Sequence, residues 1–186
     1  GGANLHTFMG IRTPGRTLND FIGRRYDTLD EVCIGTEQKR LRIICGASEV
    51  LTMANLKYTQ KTKILQAINK IEADHVVLDL GAGTGFNTLD FFLSARHQVV
   101  VMTPQPVAIQ NAYAFIRNAV YRKLSRMTSR RPSLDSLVKA AMNPKNDIQV
   151  RTVSRLLECI AENGAASDAA RMAAQLERIR PVLITN

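Results

Sequence analysis

The spacing of apolar and polar residues predicts strands and helices in alternation along the chain. Leu41-Arg-Ile-Ile-Cys-Gly46 is a short run rich in β-forming residues that ends at glycine, which predicts a strand. Apolar residues recur at helical spacing over about 59–72 and predict an amphipathic helix there. Val76-Val-Leu-Asp-Leu80 then predicts a buried strand before a glycine-rich turn, and Leu89 to Ala95 predicts the next helix.

The second half of the chain continues this alternation. Gln98-Val-Val-Val-Met102 predicts a strand, and residues 106–124 predict a helix with one apolar face. Residues 132–180 have a helical pattern throughout, and Pro181-Val-Leu-Ile-Thr185 predicts a final strand.

These elements predict an α/β fold with a mostly parallel sheet flanked by helices. Residues 132–180 are too many for one crossover connection and predict an inserted helical subdomain. Ligands of such sheets bind where strands end at their carboxyl side. The candidate positions are therefore those after Leu80, after Met102 and at Asn186.

Two helix starts are predicted near the beginning of the chain. Thr17-Leu-Asn-Asp20 and Thr28-Leu-Asp-Glu31 both place an acidic residue three positions after a threonine. The second is closer to the Ser/Thr-x-x-Glu capping box, so it is the stronger of the two signals.

Composition narrows the class of protein. Apolar residues make up 45% of the 186 positions and charged residues 22%, which is ordinary for a globular protein. No apolar run approaches the ~20 residues that a membrane-spanning helix needs. The three cysteines lack CxxC spacing, which argues against a disulfide framework or a zinc site. We expect a soluble, cytoplasmic protein.

The net charge of +9 is concentrated in one basic stretch. This stretch carries no acid, and its cations are Arg117, Arg122, Lys123, Arg126, Arg130 and Arg131. Such a cluster can bind phosphates, acidic lipid or an acidic partner. It is also typical of a solvated helix end, where cations are favoured by the helix dipole. The scarcity of aromatic residues for base stacking favours the second interpretation.

The strongest local motif is the glycine loop Val77-Leu-Asp-Leu-Gly-Ala-Gly-Thr-Gly85. Taken alone, it resembles motif I of Rossmann-like methyltransferases, in which the glycines let the backbone approach S-adenosylmethionine. That fold also needs an acid at the end of the next strand, where this chain has Met102-Thr-Pro104, and the nearest acid, Asp90, lies in the preceding helix. It needs more strands after the loop than this chain offers, so the methyltransferase interpretation is disfavoured.

A second interpretation makes Asp79 the acid near the end of a strand in a nucleoside triphosphatase. Such an acid holds Mg²⁺, and the glycines that follow let a loop move toward the γ-phosphate. The purely structural alternative is a tight strand-to-helix turn that needs glycine for its backbone geometry.

Three segments taken together favour the triphosphatase. Gly1-Gly-Ala-Asn-Leu5, Asp79-Leu-Gly-Ala-Gly83 and Thr103-Pro-Gln-Pro-Val-Ala-Ile-Gln-Asn-Ala-Tyr113 occur in this order. Together they resemble the MinD/ParA family of deviant P-loop ATPases, and in particular its FlhG/FleN-like branch. The resemblance covers residues 1–124 and 181–186. It implies a partial ATPase core over 1–131 and 181–186, with 132–180 as a helical insertion.

The resemblance also implies a set of site residues. Asp79 would be catalytic and would hold Mg²⁺ through a water molecule, and Asn186 would face the adenine of ATP. The other residues that it places at the nucleotide are Asn4, Gly81, Gly83, Thr84, Thr103 and Pro104. In that family two subunits sandwich ATP, and the resulting homodimer recruits a partner at the membrane, cell pole or flagellar base. DNA stays open as a partner, and peripheral membrane association is compatible with the cytoplasmic location.

One part of the family pattern is missing from these 186 residues. No lysine lies in a GxxxxGK[ST] loop, so the main phosphate-binding element is absent from the sequence. We therefore expect an N-terminally truncated piece of such an ATPase that does not hydrolyse ATP by itself. The missing first strand belongs in the middle of the family's sheet, so its absence would leave the edges of two strands unpaired. The alternative is a non-catalytic module that docks a partner through the basic stretch and the helical insertion.

Overall fold

The computed structural model describes residues 5–46, 56–143, 150 and 152–186. The chain divides into two compact units, Gly1–Ala82 and Gly83–Asn186. Across the described ranges, no helix has both the length and the apolar character to cross a bilayer.

Short elements dominate the described part of the first unit. In chain order they are α1 (Leu5–Phe8), α2 (Leu18–Ile22), a 3-10 turn (Asp30–Val32), β1 (Ile34–Gly35), β2 (Arg42–Ile43) and α3 (Tyr58–Ile68). Strands β1 and β2 pair in antiparallel fashion. Phe21 is buried against this framework, and the Lys63 ammonium lies 4.2 Å from the centre of its ring. Lys63 also donates a hydrogen bond to the Phe21 carbonyl at 2.9 Å, which fixes α3 to the end of α2.

The first predicted helix start is confirmed. The backbone N–H and the hydroxyl of Thr17 both donate to Oδ2 of Asp20 at 2.9 Å, so Asp20 closes the first turn of α2. The second start, at Thr28, leads only to the 3-10 turn Asp30–Val32 and not to a helix. Cys33, directly after that turn, is extended and β1 begins at Ile34, so there is room for one turn only.

Replacing Asp20 with asparagine should remove an acid-sensitive contribution to stability. The hydrogen bonds from the Thr17 side chain and backbone hold the pKa of the Asp20 carboxyl below its usual value. A lowered folded-state pKa means that the carboxylate stabilises the fold above its unfolded-state pKa, and that this contribution disappears as the pH falls through the folded-state pKa. Thermal midpoints of the wild type and Asp20→Asn should therefore differ above about pH 5 and approach each other as the pH falls below about 4. A difference that is constant across this range would contradict the assignment.

The predicted buried strand at Val76–Leu80 is wrong for this structure. Val77 is 89% exposed, and no strand of the described residues pairs with this segment. A strand forms only where a neighbouring backbone satisfies its N–H and C=O groups, and none does so here. The predicted strand at Leu41–Gly46 is reduced to Arg42–Ile43, and the helix predicted over about 59–72 ends earlier, at Ile68.

The second unit contains most of the predicted elements. They are α4 (Phe86–Ser94), β3 (Val99–Met102), α5 (Pro106–Thr128), α6 (Pro132–Met142), α7 (Val153–Ile160), α8 (Ala166–Leu176) and β4 (Val182–Thr185). A wide turn at Ala161–Ala165 joins α7 to α8, and Gly164 adopts a left-handed φ of 79° there. Next to it, the Asn163 amide donates to the Cys159 carbonyl at 2.7 Å and ends α7.

Strands β3 and β4 form a parallel pair, as the pattern predicted. Val99 lies opposite Val182, and the register continues to Met102 opposite Thr185. The molecule is therefore mixed α/β, with one parallel pair among the described strands. Val101 is 64% exposed and Val182 is 59% exposed, so the described helices leave these positions of the pair open.

The core of the second unit lies between its four later helices. Tyr121 and Leu124 of α5 pack in one cluster with buried residues of α6, α7 and α8. Leu124, Val138, Leu156 and Met172, one from each helix, are all completely buried. The apolar face of α5 therefore continues directly into the helical residues 132–180. The boundary expected at residue 131 stays a prediction.

Candidate functional site

The carboxyl ends of β3 and β4 bring two predicted site residues to one edge. Thr103 follows β3 and Asn186 follows β4, and the Asn186 N–H donates to the Met102 carbonyl at 3.0 Å. Because the strands are parallel and in register, both residues emerge on the same side of the pair. Both are exposed. This edge is the place where ligands bind in parallel α/β sheets.

Helix α5 begins beside this edge. Thr103, Pro104 and Gln105 connect β3 to Pro106, the first residue of the helix, and Gln105 is extended. Proline is well suited to this position because its fixed φ matches the helix and its missing N–H would have no partner there. The remaining N–H groups of the first turn lack partners within the helix and give its N-terminal end a partial positive charge. A negatively charged group is therefore favoured near Thr103 and Pro104.

Asp79 and Gly81 lie in the first unit, in the exposed segment that follows α3. Within the described ranges, no hydrogen bond or ion pair occupies the Asp79 carboxylate, and a Cβ added to Gly81 would meet open space. A single free carboxylate suits Mg²⁺, which keeps several waters and takes its other ligands from phosphates. The described residues contain no cluster of three or more His, Cys, Asp or Glu side chains that could hold a metal without such help.

Gly83 and Thr84 lie in the second unit, just before α4. Gly83 has a φ of 114°, a backbone conformation open to glycine and strained for other residues. A Cβ built at Gly83 would touch nothing, so the backbone geometry and not a close contact requires glycine. Thr84 is exposed, and Gly85 immediately precedes the first turn of α4. Asn4, with Gly1 to Ala3, lies outside the described residues.

The sequence analysis missed a buried ion pair between α4 and α5. Nε and Nη2 of Arg122 donate to the two carboxylate oxygens of Asp90 at 2.8 and 2.9 Å. The Asp90 side chain is only 3% exposed, and a second guanidinium, of Arg126, lies 3.6 Å away. Burial lowers the pKa of Arg122, but the Asp90 hydrogen bonds outweigh it and the net shift is upward. The sequence does contain a signal for this pair. Asp90 lies between Leu89 and Phe91 in an apolar run, and a charged side chain at such a position needs a partner of opposite charge.

This ion pair changes the interpretation of the basic stretch. Arg122 and Arg126 are directed toward Asp90, and Arg131 forms an ion pair with the buried Asp168 of α8. Arg117 lies 5.5 Å from the centre of the Tyr121 ring. Half of the six cations therefore hold helices together, which agrees with a structural role for this part of the stretch. Lys123 and Arg130 are outside these pairs.

Comparison with known proteins identifies the class to which the chain is related. Among its relatives are an antiactivator FleN and a flagellum site-determining protein, which confirms the resemblance to the FlhG/FleN-like branch that the three motifs carry. No family model matches the chain.

Three relatives carry this conclusion. The antiactivator FleN of Pseudomonas aeruginosa is 33% identical over 119 residues, covering 63% of this chain and 41% of FleN. The flagellum site-determining protein YlxH of Helicobacter pylori is 31% identical over 122 residues, covering 63% of this chain and 40% of YlxH. An uncharacterised ATP-binding protein of Methanocaldococcus jannaschii is 25% identical over 156 residues, covering 84% of this chain and 55% of that protein. The chain thus spans about half the length of the curated relatives it matches.

Proposed function

We propose that this chain is part of a MinD/ParA-like ATPase of P-loop NTPase type that regulates the number or position of flagella. The observation that carries the proposal is its similarity to both an antiactivator FleN and a flagellum site-determining protein. Similarity to an ATP-binding protein over most of the chain supports ATP as the ligand. In this proposal ATP binding drives a homodimer, which acts on a partner protein in the cytoplasm or at the membrane surface.

The edge formed by β3 and β4 is the proposed nucleotide-binding side. A carboxamide such as that of Asn186 offers both a donor and an acceptor, which matches the amino group and ring nitrogen of adenine. Thr103 and Pro104 share this edge with the N-terminus of α5 and provide a polar and rigid border. The exposure of these residues leaves them accessible to a ligand.

Asp79 is the proposed residue that holds Mg²⁺ through a water molecule. When bound with the nucleotide, Mg²⁺ neutralises charge on the phosphates. Asp79 contributes one unoccupied carboxylate, and Gly81, Gly83 and Thr84 form the adjoining loop whose backbone adapts to the phosphates. The φ of 114° at Gly83, which favours glycine, supports a loop of this kind.

The 186-residue chain should show no robust ATP hydrolysis. It contains no GxxxxGK[ST] loop, and without the backbone amides and lysine of that loop ATP affinity should be weak, with a Kd of about 1 mM or higher. The decisive comparison is with a longer version of the protein that adds any residues encoded before Gly1. If these supply a phosphate loop, binding of a fluorescent ATP analogue should tighten to about 10 μM or better. Light scattering should then show a dimer with ATP and a monomer with ADP.

Two matched variants of the longer protein test the site itself. Asp79→Asn should reduce ATP turnover by about 100-fold, since one carboxylate that positions the metal is lost. The control is Asp74→Asn, an exposed carboxylate of the same unit that pairs with the exposed Arg40 and should change turnover by less than about twofold. Robust hydrolysis by the 186-residue chain, or equal effects of the two variants, would refute the assignment. Calorimetric binding of S-adenosylmethionine would instead support the methyltransferase interpretation.

A further inference from the structure

Helices α5 and α8 pack side by side in opposite directions. Arg131, just after α5, pairs with Asp168 near the start of α8. One turn back along α5, Met127 lines a shallow cleft with Arg171 and Gln175, which lie further along α8. Residues with decreasing numbers along α5 therefore lie next to residues with increasing numbers along α8. The same register places Lys123, another turn back, opposite Arg178, which follows α8.

Among the described residues, the cations along this α5–α8 groove are paired with a carboxylate at one end only. At the Arg131 end, the buried Asp168 accepts hydrogen bonds from both Arg131 and Arg171. At the other end, the helix register places two cations, Lys123 and Arg178, on the two sides of the groove. Among the described residues no carboxylate forms an ion pair with either of them.

The electrostatic environment of Lys123 agrees with this register. Lys123 is half-buried, and burial together with the charges of Arg126 and Arg178 lowers the pKa of its ammonium group. Arg126 lies on the same side of α5, and the carboxylate near it, Asp90, is already engaged in a closer pair with Arg122. Like charges held together in a folded protein reduce its stability, and an anion placed between them would relieve that cost.

We propose that the α5–α8 groove binds an acidic segment of a partner protein, with one carboxylate between Lys123 and Arg178. The groove lies between two helices, a form that suits a peptide segment. Met127 gives its floor an adaptable apolar contact, and Gln175 supplies a neutral polar group beside it. The partner segment should therefore alternate acidic and apolar residues.

Two other kinds of anionic partner fit the groove less well. Single-stranded nucleic acid binds where aromatic side chains alternate with cations, and none of the described residues that line the cleft, Met127, Arg171 and Gln175, is aromatic. A membrane surface calls for large apolar side chains exposed beside the cations, whereas Met127 is partly buried. An acidic protein segment needs neither feature.

A labelled peptide of alternating glutamate and leucine tests the proposal with the full chain. Fluorescence anisotropy should show binding to the wild type, and the double variant Lys123→Gln/Arg178→Gln should bind on the order of tenfold more weakly. The control Arg96→Gln/Arg130→Gln removes the same net charge from exposed positions of the same unit and should stay within about twofold of wild type. Equal weakening in both double variants would mean attraction by net charge alone and would overturn the proposal. Absence of binding to the wild type would overturn it as well.

Two additional measurements test the chemistry of the ligand and the repulsion between the cations. Duplex DNA of equal charge and phosphatidylglycerol vesicles are titrated in parallel. If either one binds more tightly than the peptide, and binds more weakly to the Lys123→Gln/Arg178→Gln variant, then it is the ligand and the proposal of an acidic segment is overturned. Thermal unfolding of the Lys123→Gln/Arg178→Gln variant should occur at the wild-type temperature or higher, because a repulsion has been removed. A lower midpoint would show that these cations stabilise the fold and would contradict the proposal. The assay contains no nucleotide, so its outcome is independent of the proposed ATP site.

Discussion

Replacing Arg122 with methionine should lower the free energy of unfolding by about 3 kcal/mol. Arg122 holds both oxygens of a carboxylate that is 3% exposed, and methionine would leave that charge without its bidentate partner. Arg126, at 3.6 Å and half exposed, compensates only in part. Breaking one side of a buried ion pair is costly because the remaining charge is isolated from water.

Urea unfolding of three variants measures this effect. The control Arg130→Met removes an exposed cation of the same basic stretch and should change stability by less than about 0.5 kcal/mol. The double variant Arg122→Met/Asp90→Leu removes both charges and should recover much of the loss, since no buried charge is left unpaired. A loss below about 1 kcal/mol for Arg122→Met would show that the pair is far less important than its geometry indicates.

Replacing Leu156 with alanine should also lower the free energy of unfolding by about 3 kcal/mol. Leu156 is completely buried in the cluster that joins α7 to Tyr121 and Leu124 of α5. The substitution removes packing and leaves a cavity at the centre of four helices. Because these helices share one core, the loss of stability should affect the neighbouring helices as well as α7.

Amide hydrogen exchange measures which helices lose stability in the Leu156→Ala variant. Protection should fall together in α5 and α7 of Leu156→Ala, whereas Ser154→Ala, an exposed site on the same helix, should leave both unchanged. Loss of protection in α7 alone would instead indicate that residues 132–180 form a subdomain of their own. The experiment thus tests the boundary that the sequence predicts at residue 131.

Elements that depend on local pattern were predictable from the sequence. Apolar periodicity identifies α5 and the later helices, and the apolar runs at 98–102 and 181–185 identify the parallel pair β3 and β4. Val76–Leu80 has the same composition as those strands but remains exposed. Its amino acids indicate a preference for a buried strand, whereas pairing depends on a neighbouring backbone that composition does not report.

The candidate site also has a part that the sequence could predict and a part that it could not. The juxtaposition of Thr103 and Asn186 follows from one general rule, that parallel strands end at a common edge, and the structure has it. The role of Asp79 rests on family resemblance and stays a prediction. The pairing of Asp90 with Arg122 joins residues 32 positions apart on two helices, a separation that helical periodicity within one element does not bridge.

The parallel register of β3 and β4 has a consequence for how the second unit assembles. Its two strands are separated by the whole run of helices from α5 to α8, so their pairing must close a very long loop. Contacts between successive helices are local and form sooner than such a distant pairing. The helices should therefore assemble first and carry β4 back to β3. The edge that holds Thr103 and Asn186 is then among the last parts of the molecule to take shape.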